Sequence, residues 1–93
     1  MHGSITFDPH KSARNAQLRG LPFELAEWFE WSDALIVEDV RKAYPEPRFQ
    51  VLGRLDGALH MLVFTPRAGG IHVISLRRAN VRERNRHAAQ SKA

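Results

Sequence analysis

Apolar and polar positions change their spacing along the chain, and these changes predict where helices and strands lie. Residues 5–7 alternate apolar and polar, which is typical of a short strand. Asp8, followed by a proline, has the pattern of a helix start, and Gly20 is a typical helix stop. A second helix is predicted to open at Leu21, with apolar residues at helical spacing as far as Phe29.

The second part of the chain has the two-residue period of β-strands. Strands are predicted at residues 34–38, 49–55, 59–65 and 71–76. Asp56 and Gly57 separate the middle two and form a strong hairpin signal. The strand at 59–65 is almost wholly apolar, which predicts a central position in the sheet. Asn80 and Glu83 have capping-box spacing and start a basic helix that runs to about residue 89.

The predicted order of elements is therefore β-α-α-β-β-β-β-α. Strands that cluster in sequence predict an antiparallel meander, with the helices packed together on one face. The predicted class is α+β, a two-layer fold with two N-terminal helices, an antiparallel sheet of about four strands and a C-terminal basic helix. The 93 residues make a single domain, 1–93. Residues 1–4 are interpreted as a tag remnant or a disordered start, and residues 90–93 as a disordered tail.

Strict alternation assigns the side chains of the last strand to two faces. Val73, Ser75 and Arg77 share one face, and His72, Ile74 and Leu76 share the other. The more apolar His72 face is predicted to meet the helices, which leaves the Ser75–Arg77 face more open. Arg67 lies at the end of the preceding strand and Arg48 at the start of an earlier one, so a sheet face bearing three arginines is predicted, suited to RNA phosphates. Antiparallel neighbours put opposite strand ends together, so direct contact between Arg67 and Arg77 is not required by this prediction.

Charge is distributed unevenly along the chain. Residues 1–56 carry seven basic and nine acidic residues, and residues 57–93 carry seven basic residues and one acid, so net charges of −2 and +6 add to +4. Six of the seven basic residues in the second part are arginines, whose guanidinium binds phosphate in a bidentate manner. The asymmetry indicates a polyanionic partner, and a solubilising surface is the alternative.

Composition excludes several kinds of chemistry. The absence of cysteine excludes disulfides, thiol catalysis and cysteine-based metal sites. No apolar run is long enough to span a membrane, and no signal peptide is evident, so a cytoplasmic protein without membrane contact is expected. The five histidines lack zinc-type spacing and no phosphate-binding glycine loop occurs, so neither a metal site nor a cofactor is expected.

Two residues are candidates for acid–base chemistry. His87 lies four residues after Glu83 on the last helix, close to arginines, where a histidine is a suitable general acid or base. The alternative is a histidine in a flexible tail. Glu46 lies beside Arg48, and is either a base or one half of an ion pair that holds the start of the strand.

From residue 5 to residue 87, the chain resembles the BrnT toxins of bacterial type II toxin–antitoxin systems. The resemblance rests on motifs in a fixed order, among them Phe7-Asp8, Tyr44-Pro45-Glu46-Pro47-Arg48, Val63-Phe64-Thr65-Pro66-Arg67 and Arg77-Arg78-Ala79-Asn80. It implies a RelE-like fold, a ribonuclease activity that blocks translation, and neutralisation by a cognate BrnA-like antitoxin in a hetero-oligomer. It also implies that this complex binds its own promoter DNA through the antitoxin.

By position, Arg48, Arg67 and Arg77 match basic residues expected around the active site of that family. Arg84 matches another basic position near the chain end. There are departures from the family pattern: His72 stands where an arginine is usual, and His87 stands where a tyrosine is frequent. His87 either replaces that tyrosine in cleavage or weakens the activity.

These observations together predict a toxin that is a metal-independent endoribonuclease, with RNA as substrate and an antitoxin as partner. The predicted catalytic residues are Arg48, Arg67, Arg77, Glu46 and His87. The predicted RNA-binding residues are Arg78, Arg82, Arg84 and Arg86. The 2′-hydroxyl of the RNA would be the nucleophile, and arginines would neutralise the phosphorane. Arg77 is predicted to matter more to cleavage than Arg82 or Arg86. The alternatives are a non-catalytic RNA- or ribosome-binding module, and a degenerate toxin that acts only through its protein partner.

Overall fold

The computed structural model describes residues 4–91, and for Ser91 only the backbone. Its elements in chain order are β1 (Ser4–Phe7), α1 (Pro9–Arg19), a 3₁₀ helix (Phe23–Trp28), β2 (Glu30–Glu38), β3 (Phe49–Leu55), β4 (Ala58–Arg67), β5 (Gly70–Arg78) and α2 (Val81–Ser91). This confirms the α+β class and the predicted order of elements. Of the residues interpreted as a tag or disordered start and as a disordered tail, Ser4 lies in β1, and Gln90 and Ser91 lie in α2. Residues 1–3 and 92–93 are outside the described part, so the interpretation of these residues stays a prediction.

Helix α1 begins and ends where the sequence predicts. The Asp8 carboxylate accepts hydrogen bonds from the backbone N–H groups of His10 (2.9 Å) and Lys11 (3.4 Å), as a helix N-cap does. Gly20 ends the helix in the left-handed region (φ 72°), and its N–H donates to the Ala16 carbonyl at 2.8 Å. The caps therefore fix both ends of a helix whose apolar face is weak.

The second predicted helix is a 3₁₀ helix of six residues. The chain is already extended at Phe29, and β2 begins at Glu30, four residues before the predicted start of that strand. Room therefore remains for only a short helix. Phe29 is buried as expected, whereas Trp28 at the helix end is 71% exposed.

The sheet has five strands in the order β1-β5-β4-β3-β2. The apolar strand β4 lies at its centre, as predicted, and β3 has the predicted bounds. Asp56 (φ 53°) and Gly57 (φ 81°) both occupy the left-handed region in the turn between β3 and β4, which a two-residue hairpin turn of this type requires. Strand β1 pairs in parallel with β5, so the sheet has one more strand than the predicted four and is not wholly antiparallel.

A β-bulge in β5 changes the predicted faces of that strand. Val63 pairs with Ser75 and Phe64 pairs with Val73, so Ile74 is an extra residue between the two pairs. As a result, Val73 and Leu76 join the same core, while His72 and Ser75 point to the opposite face with Arg77. The predicted grouping of His72 with Leu76 is wrong because alternation stops at the bulge.

Helices cover both faces of the sheet. On the first face, α1 and the 3₁₀ helix pack over the main core, which consists of Phe23, Ala26, Phe29, Val51, Leu55, Leu62, Phe64, Val73 and Leu76. The second face buries a smaller cluster of Leu52, Met61 and Ala79. Helix α2 starts beside β5 and reaches β2, so it crosses this second face. The prediction that all helices pack together on one face is therefore wrong, because both sheet faces carry apolar residues that must be covered.

Candidate active site

A cleft of about 330 Å³ lies at one end of the second sheet face, away from helix α2. The polar residues used below that line it are Lys11, Glu46, Arg48, Thr65, Arg67 and His72. Three features of the fold bring them together. Thr65 and His72 are paired across β4 and β5, Arg48 immediately precedes β3, and Lys11 lies in the first turn of α1.

Glu46 is the acidic centre of this cleft. Its Oε1 atom accepts a hydrogen bond from Arg67 Nη2 at 3.3 Å and lies 3.3 Å from Thr65 Oγ1. The Thr65 hydroxyl also donates to the Pro47 carbonyl at 2.6 Å, the shorter of its two contacts. The side chains of Arg67 and Glu46 are each about half exposed (49% and 52%), so their ion pair stabilises by only about 0–1 kcal/mol. An incoming phosphate can therefore replace the carboxylate as the partner of Arg67.

Arg48 is held against an aromatic ring. Its guanidinium carbon lies 4.0 Å from the centroid of the Tyr44 ring, which is a cation–π arrangement. The Arg48 carbonyl accepts a hydrogen bond from the backbone N–H of Asp39 at 2.7 Å. Both the backbone and the side chain of this arginine are thus fixed before any ligand binds.

His72 and Lys11 complete the polar lining. The His72 Nδ1 atom lies 2.9 Å from the hydroxyl of Thr6, its partner on β1. The cleft has three basic residues, Lys11, Arg48 and Arg67, and two acids, Glu46 and the helix cap Asp8, which gives a net charge of +1 with histidine neutral (3 − 2). The cleft therefore combines cations for a phosphate with a carboxylate and an imidazole for proton transfer.

A larger and open groove of about 950 Å³ is lined by residues from the opposite end of the sheet, around the turn between β3 and β4. The predicted RNA-binding residue Arg78 lines it together with Arg19 and Trp28. Its greater size does not make it the better catalytic candidate, because Glu46, Arg48 and Arg67 all line the smaller cleft.

Arg77 shares a sheet face with Arg67 but lies at the other end of it. Arg67 pairs with Gly70, whereas Arg77 pairs with Met61. Arg67 lies six positions after Met61 on β4, which corresponds to about 20 Å along the strand. The structure therefore places Arg67 and Arg77 at opposite ends of the sheet face that they share, because the strands that carry them pair in antiparallel fashion.

Arg77 is instead paired with Glu83. Two hydrogen bonds, at 2.9 and 2.8 Å, join its guanidinium to the two carboxylate oxygens. These bonds lower the pKa of the Glu83 carboxyl and raise that of the Arg77 guanidinium, while burial opposes both shifts. The same carboxylate accepts a hydrogen bond from the N–H of Asn80, and the Asn80 side chain accepts one from the N–H of Glu83, which confirms the predicted capping box.

His87 lies on α2, is buried and does not line the cleft. It is 5% exposed, and its Nε2 atom lies 2.8 Å from the carbonyl oxygen of Asp33 in β2. The alternative of a flexible tail histidine is therefore wrong. The contact joins α2 to the edge strand at the far side of the sheet from β1.

The remaining predicted RNA-binding arginines lie on α2. Arg82, Arg84 and Arg86 are exposed, and Arg84 Nη1 donates to the carbonyl of Ala79 at 3.2 Å. They form a basic surface separate from the lining of the cleft.

Four lining or supporting residues were not predicted as site residues: Lys11, Tyr44, Thr65 and His72. Signals for them existed in the sequence. Tyr44 and Thr65 belong to the motifs that carry the family resemblance, and Lys11 lies three residues after the Phe7-Asp8 motif. At position 72 the resemblance led to the expectation of an arginine, and the histidine there was one of the departures. Strict alternation on β5 predicted that His72 faces the helices. The bulge places it on the cleft face instead.

The matched family agrees with the motif resemblance. The family model for "Ribonuclease toxin, BrnT, of type II toxin-antitoxin system" matches residues 7–83, which is most of the chain. The chain belongs to the BrnT family. The matched segment of this BrnT-family toxin includes all six polar residues of the cleft, as well as Arg77 and Glu83, and it ends before His87. Comparison with curated proteins gave no match, and comparison with solved structures gave none.

Membership of this family identifies a ribonuclease toxin of a type II toxin–antitoxin system, which has RNA as its target and an antitoxin protein as its partner. Within the part of this BrnT-family toxin that the structure describes, no helix has the length and apolar character needed to cross a membrane. Among residues 4–91, no group of three or more histidine, aspartate or glutamate side chains is arranged to hold a metal ion.

Proposed function

We propose that this protein is an endoribonuclease that cleaves RNA in the cleft around Glu46, Arg48 and Arg67 without a metal ion. The observation that carries the proposal is that two arginines and a carboxylate line one small cleft in a chain of a ribonuclease toxin family. Such a set can bind a phosphodiester and accept a proton from a hydroxyl beside it.

The reaction is an internal transesterification. The 2′-oxygen of the RNA attacks the adjacent phosphorus, while the Glu46 carboxylate accepts the proton of the 2′-hydroxyl. The bond from phosphorus to the 5′-oxygen then breaks, and this oxygen receives a proton. The products are a 2′,3′-cyclic phosphate and a 5′-hydroxyl, so no water or external nucleophile is consumed.

Arg48 and Arg67 stabilise the extra negative charge of the phosphorane. Arg67 is now paired with Glu46 at 3.3 Å, and binding of a phosphate would turn its guanidinium toward the substrate and free the carboxylate for its role as base. Arg48 is already fixed over Tyr44 and needs little rearrangement. Removing one preorganised charge-stabilising donor from an active site commonly costs a factor of about 100 to 1,000 in rate.

His72 is the side chain that we assign to protonation of the 5′-oxygen. It lines the cleft, and the Thr6 hydroxyl at 2.9 Å from Nδ1 fixes the orientation of its ring. A histidine can carry the required proton near neutral pH. Arg77 and His87 lie outside this cleft, so their proposed roles are to hold α2 in place.

In the cell, RNA cleavage in the cytoplasm by this RelE-like protein would inhibit translation. The partner that we propose is a BrnA-like antitoxin, which would form a hetero-oligomer with the toxin and bind the promoter DNA of the pair. Half-exposed or exposed apolar side chains on and after the edge strand β2, at Ile36, Val37 and Val40, support a surface for a protein partner. The exposed arginines of α2 support contacts with RNA backbone.

The test is cleavage of RNA by the purified protein in the presence of EDTA, with analysis of the product ends. The expected result is a 2′,3′-cyclic phosphate, and a loss of rate of about 100-fold or more in each of Arg48→Ala and Arg67→Ala. Glu46→Gln should lose rate as well because the base is absent. Arg14→Ala, which removes an exposed arginine on α1, is the matched control and should cleave at the wild-type rate.

Induced expression in bacteria gives the second measurement. Wild-type protein should arrest growth and degrade mRNA, and Arg67→Ala should do neither. Salt-dependent binding of RNA with no cleavage would contradict the enzyme and favour a non-catalytic RNA-binding module. The absence of both cleavage and binding would favour a protein that acts only through its antitoxin partner.

A further inference from the structure

Asp39 is a buried carboxylate that has no part in the proposed reaction. It follows β2, and no fraction of its side chain is exposed. Its Oδ1 atom accepts hydrogen bonds from the backbone N–H of Arg41 at 3.2 Å and from Arg41 Nε at 2.8 Å. Its Oδ2 atom accepts from Arg41 Nη2 at 2.8 Å and from the hydroxyl of Tyr44 at 3.3 Å. Four hydrogen bonds therefore converge on one enclosed carboxylate.

Ionisation of Asp39 is secured by these contacts. The hydrogen bonds from the Arg41 guanidinium hold the pKa of the Asp39 carboxyl far below its usual range, although burial acts in the opposite direction. A buried charge is tolerated only where its hydrogen bonds are satisfied, which here requires a specific conformation of residues 39–44.

The same residue is connected to the cleft by two routes. Through its backbone, the Asp39 N–H donates to the Arg48 carbonyl at 2.7 Å and closes the loop of residues 39–48 at its base. Through its side chain, it holds the hydroxyl of Tyr44, whose ring supports the Arg48 guanidinium at 4.0 Å. Arg41, by contrast, is 71% exposed on its side chain and does not line the cleft.

We infer that Asp39 is a positioning residue for Arg48: it fixes Tyr44, and the Tyr44 ring holds the Arg48 guanidinium at the cleft before RNA binds. A long arginine side chain that is already ordered loses less conformational freedom when it binds a phosphate. This inference rests on the proposed function in one respect, namely that Arg48 binds the RNA phosphate.

The experiment measures affinity for 2′-O-methyl RNA, which lacks the nucleophile and is not cleaved. Tyr44→Phe keeps the ring and removes only the hydroxyl that Asp39 holds, and Asp39→Asn removes the charge. Each should weaken binding by roughly threefold to tenfold, the range expected from the ordering of one long side chain. Glu38→Gln, which changes the adjacent exposed carboxylate on β2, is the control and should bind as wild type.

A double-mutant cycle separates positioning from a general structural effect. In an Arg48→Ala background, Asp39→Asn and Tyr44→Phe should cause no further loss of affinity, because the side chain that they position is gone. A loss that persists in that background would overturn the inference, and so would wild-type affinity of both single variants. If Asp39→Asn does not fold, as judged by circular dichroism, Tyr44→Phe decides the question.

NMR gives a readout that does not depend on cleavage. In the wild-type protein, the ring current of Tyr44 should shift the side-chain resonances of Arg48, and this shift should decrease in Tyr44→Phe and Asp39→Asn through loss of the fixed geometry. Unchanged Arg48 resonances in both variants would overturn the inference while the proposed function stood. Wild-type cleavage by Arg48→Ala would instead overturn the role of Arg48 in the proposed function, and with it any effect of Asp39 on RNA.

Discussion

Arg77 and Glu83 face each other through two parallel hydrogen bonds, Nη1 to Oε1 at 2.9 Å and Nη2 to Oε2 at 2.8 Å. Arg77 is the penultimate residue of β5, and Glu83 lies in the first turn of α2, where it also accepts a hydrogen bond from the Asn80 N–H. One carboxylate thus serves both the helix cap and the junction between the sheet and the helix. Arg77 therefore helps to attach α2 to the sheet, and it lies away from the cleft.

Arg77→Ala should reduce the free energy of unfolding by about 1–2 kcal/mol, because it leaves the mostly buried Glu83 carboxylate without its charged partner. Urea denaturation measures this change. Arg82→Ala, which removes an exposed arginine on the same helix, is the control and should change stability by less than about 0.5 kcal/mol. Normal stability of Arg77→Ala together with lost RNA cleavage would show that Arg77 acts in catalysis, as its position in the family motif implies.

Stability should depend on pH through Glu83 and Asp39. Hydrogen bonds from Arg77 and Arg41, respectively, lower the pKa of these carboxyls in the folded protein. A carboxyl with a folded pKa below its unfolded value of about 4 stabilises the protein above that value, and this stabilisation is lost as the pH falls through the folded pKa. The contribution of these two carboxyls to the free energy of unfolding should therefore change little between pH 7 and about 5. It should decrease below about pH 4.

Glu83→Gln tests the contribution of one of the two groups. The variant should be less stable than wild type at pH 7, and the difference should shrink as the pH falls below about 4. Chemical denaturation at a series of pH values provides the measurement. A difference that stays constant across the whole acid range would contradict a role for the Glu83 charge.

Gly70→Ala should detach β1 from the sheet. A Cβ atom at this position would overlap the carbonyl oxygen of Ser4, the residue that pairs with Gly70 in the parallel ladder. The expected loss of stability is about 1–3 kcal/mol, with faster hydrogen exchange in β1. Because the Thr6 hydroxyl orients His72, RNA cleavage should fall too. Ala68→Ser, in the turn that precedes β5, should leave both properties unchanged.

His87→Phe should lower stability by about 1 kcal/mol through the loss of its contact with the Asp33 carbonyl. Cleavage per folded molecule should remain at the wild-type level, since His87 lies outside the cleft lining. Thermal denaturation and an RNA cleavage assay below the melting temperature check the two statements separately. A stable variant that fails to cleave would identify His87 as a participant in the reaction.

The ends of α1 and the turn between β3 and β4 could be predicted from the sequence, because each is determined by residues close to it in the chain. Asp8 and Gly20 cap α1 through groups a few residues away, and the turn at Asp56 and Gly57 needs only the backbone conformations of its own residues. The length of the second helix could not be predicted from local sequence. Its end depends on where β2 starts to pair with β3, which is a contact between distant parts of the chain.

By itself, the sequence determined the α+β class, the central place of β4 and the family motifs that contain Glu46, Arg48 and Arg67. Only the tertiary structure decided which of these residues meet. One extra residue in β5, Ile74, turned His72 toward the cleft, and antiparallel pairing placed Arg77 about 20 Å along β4 from Arg67. The physical reason is that strand alternation is a local rule, whereas a bulge and the pairing register depend on contacts between strands.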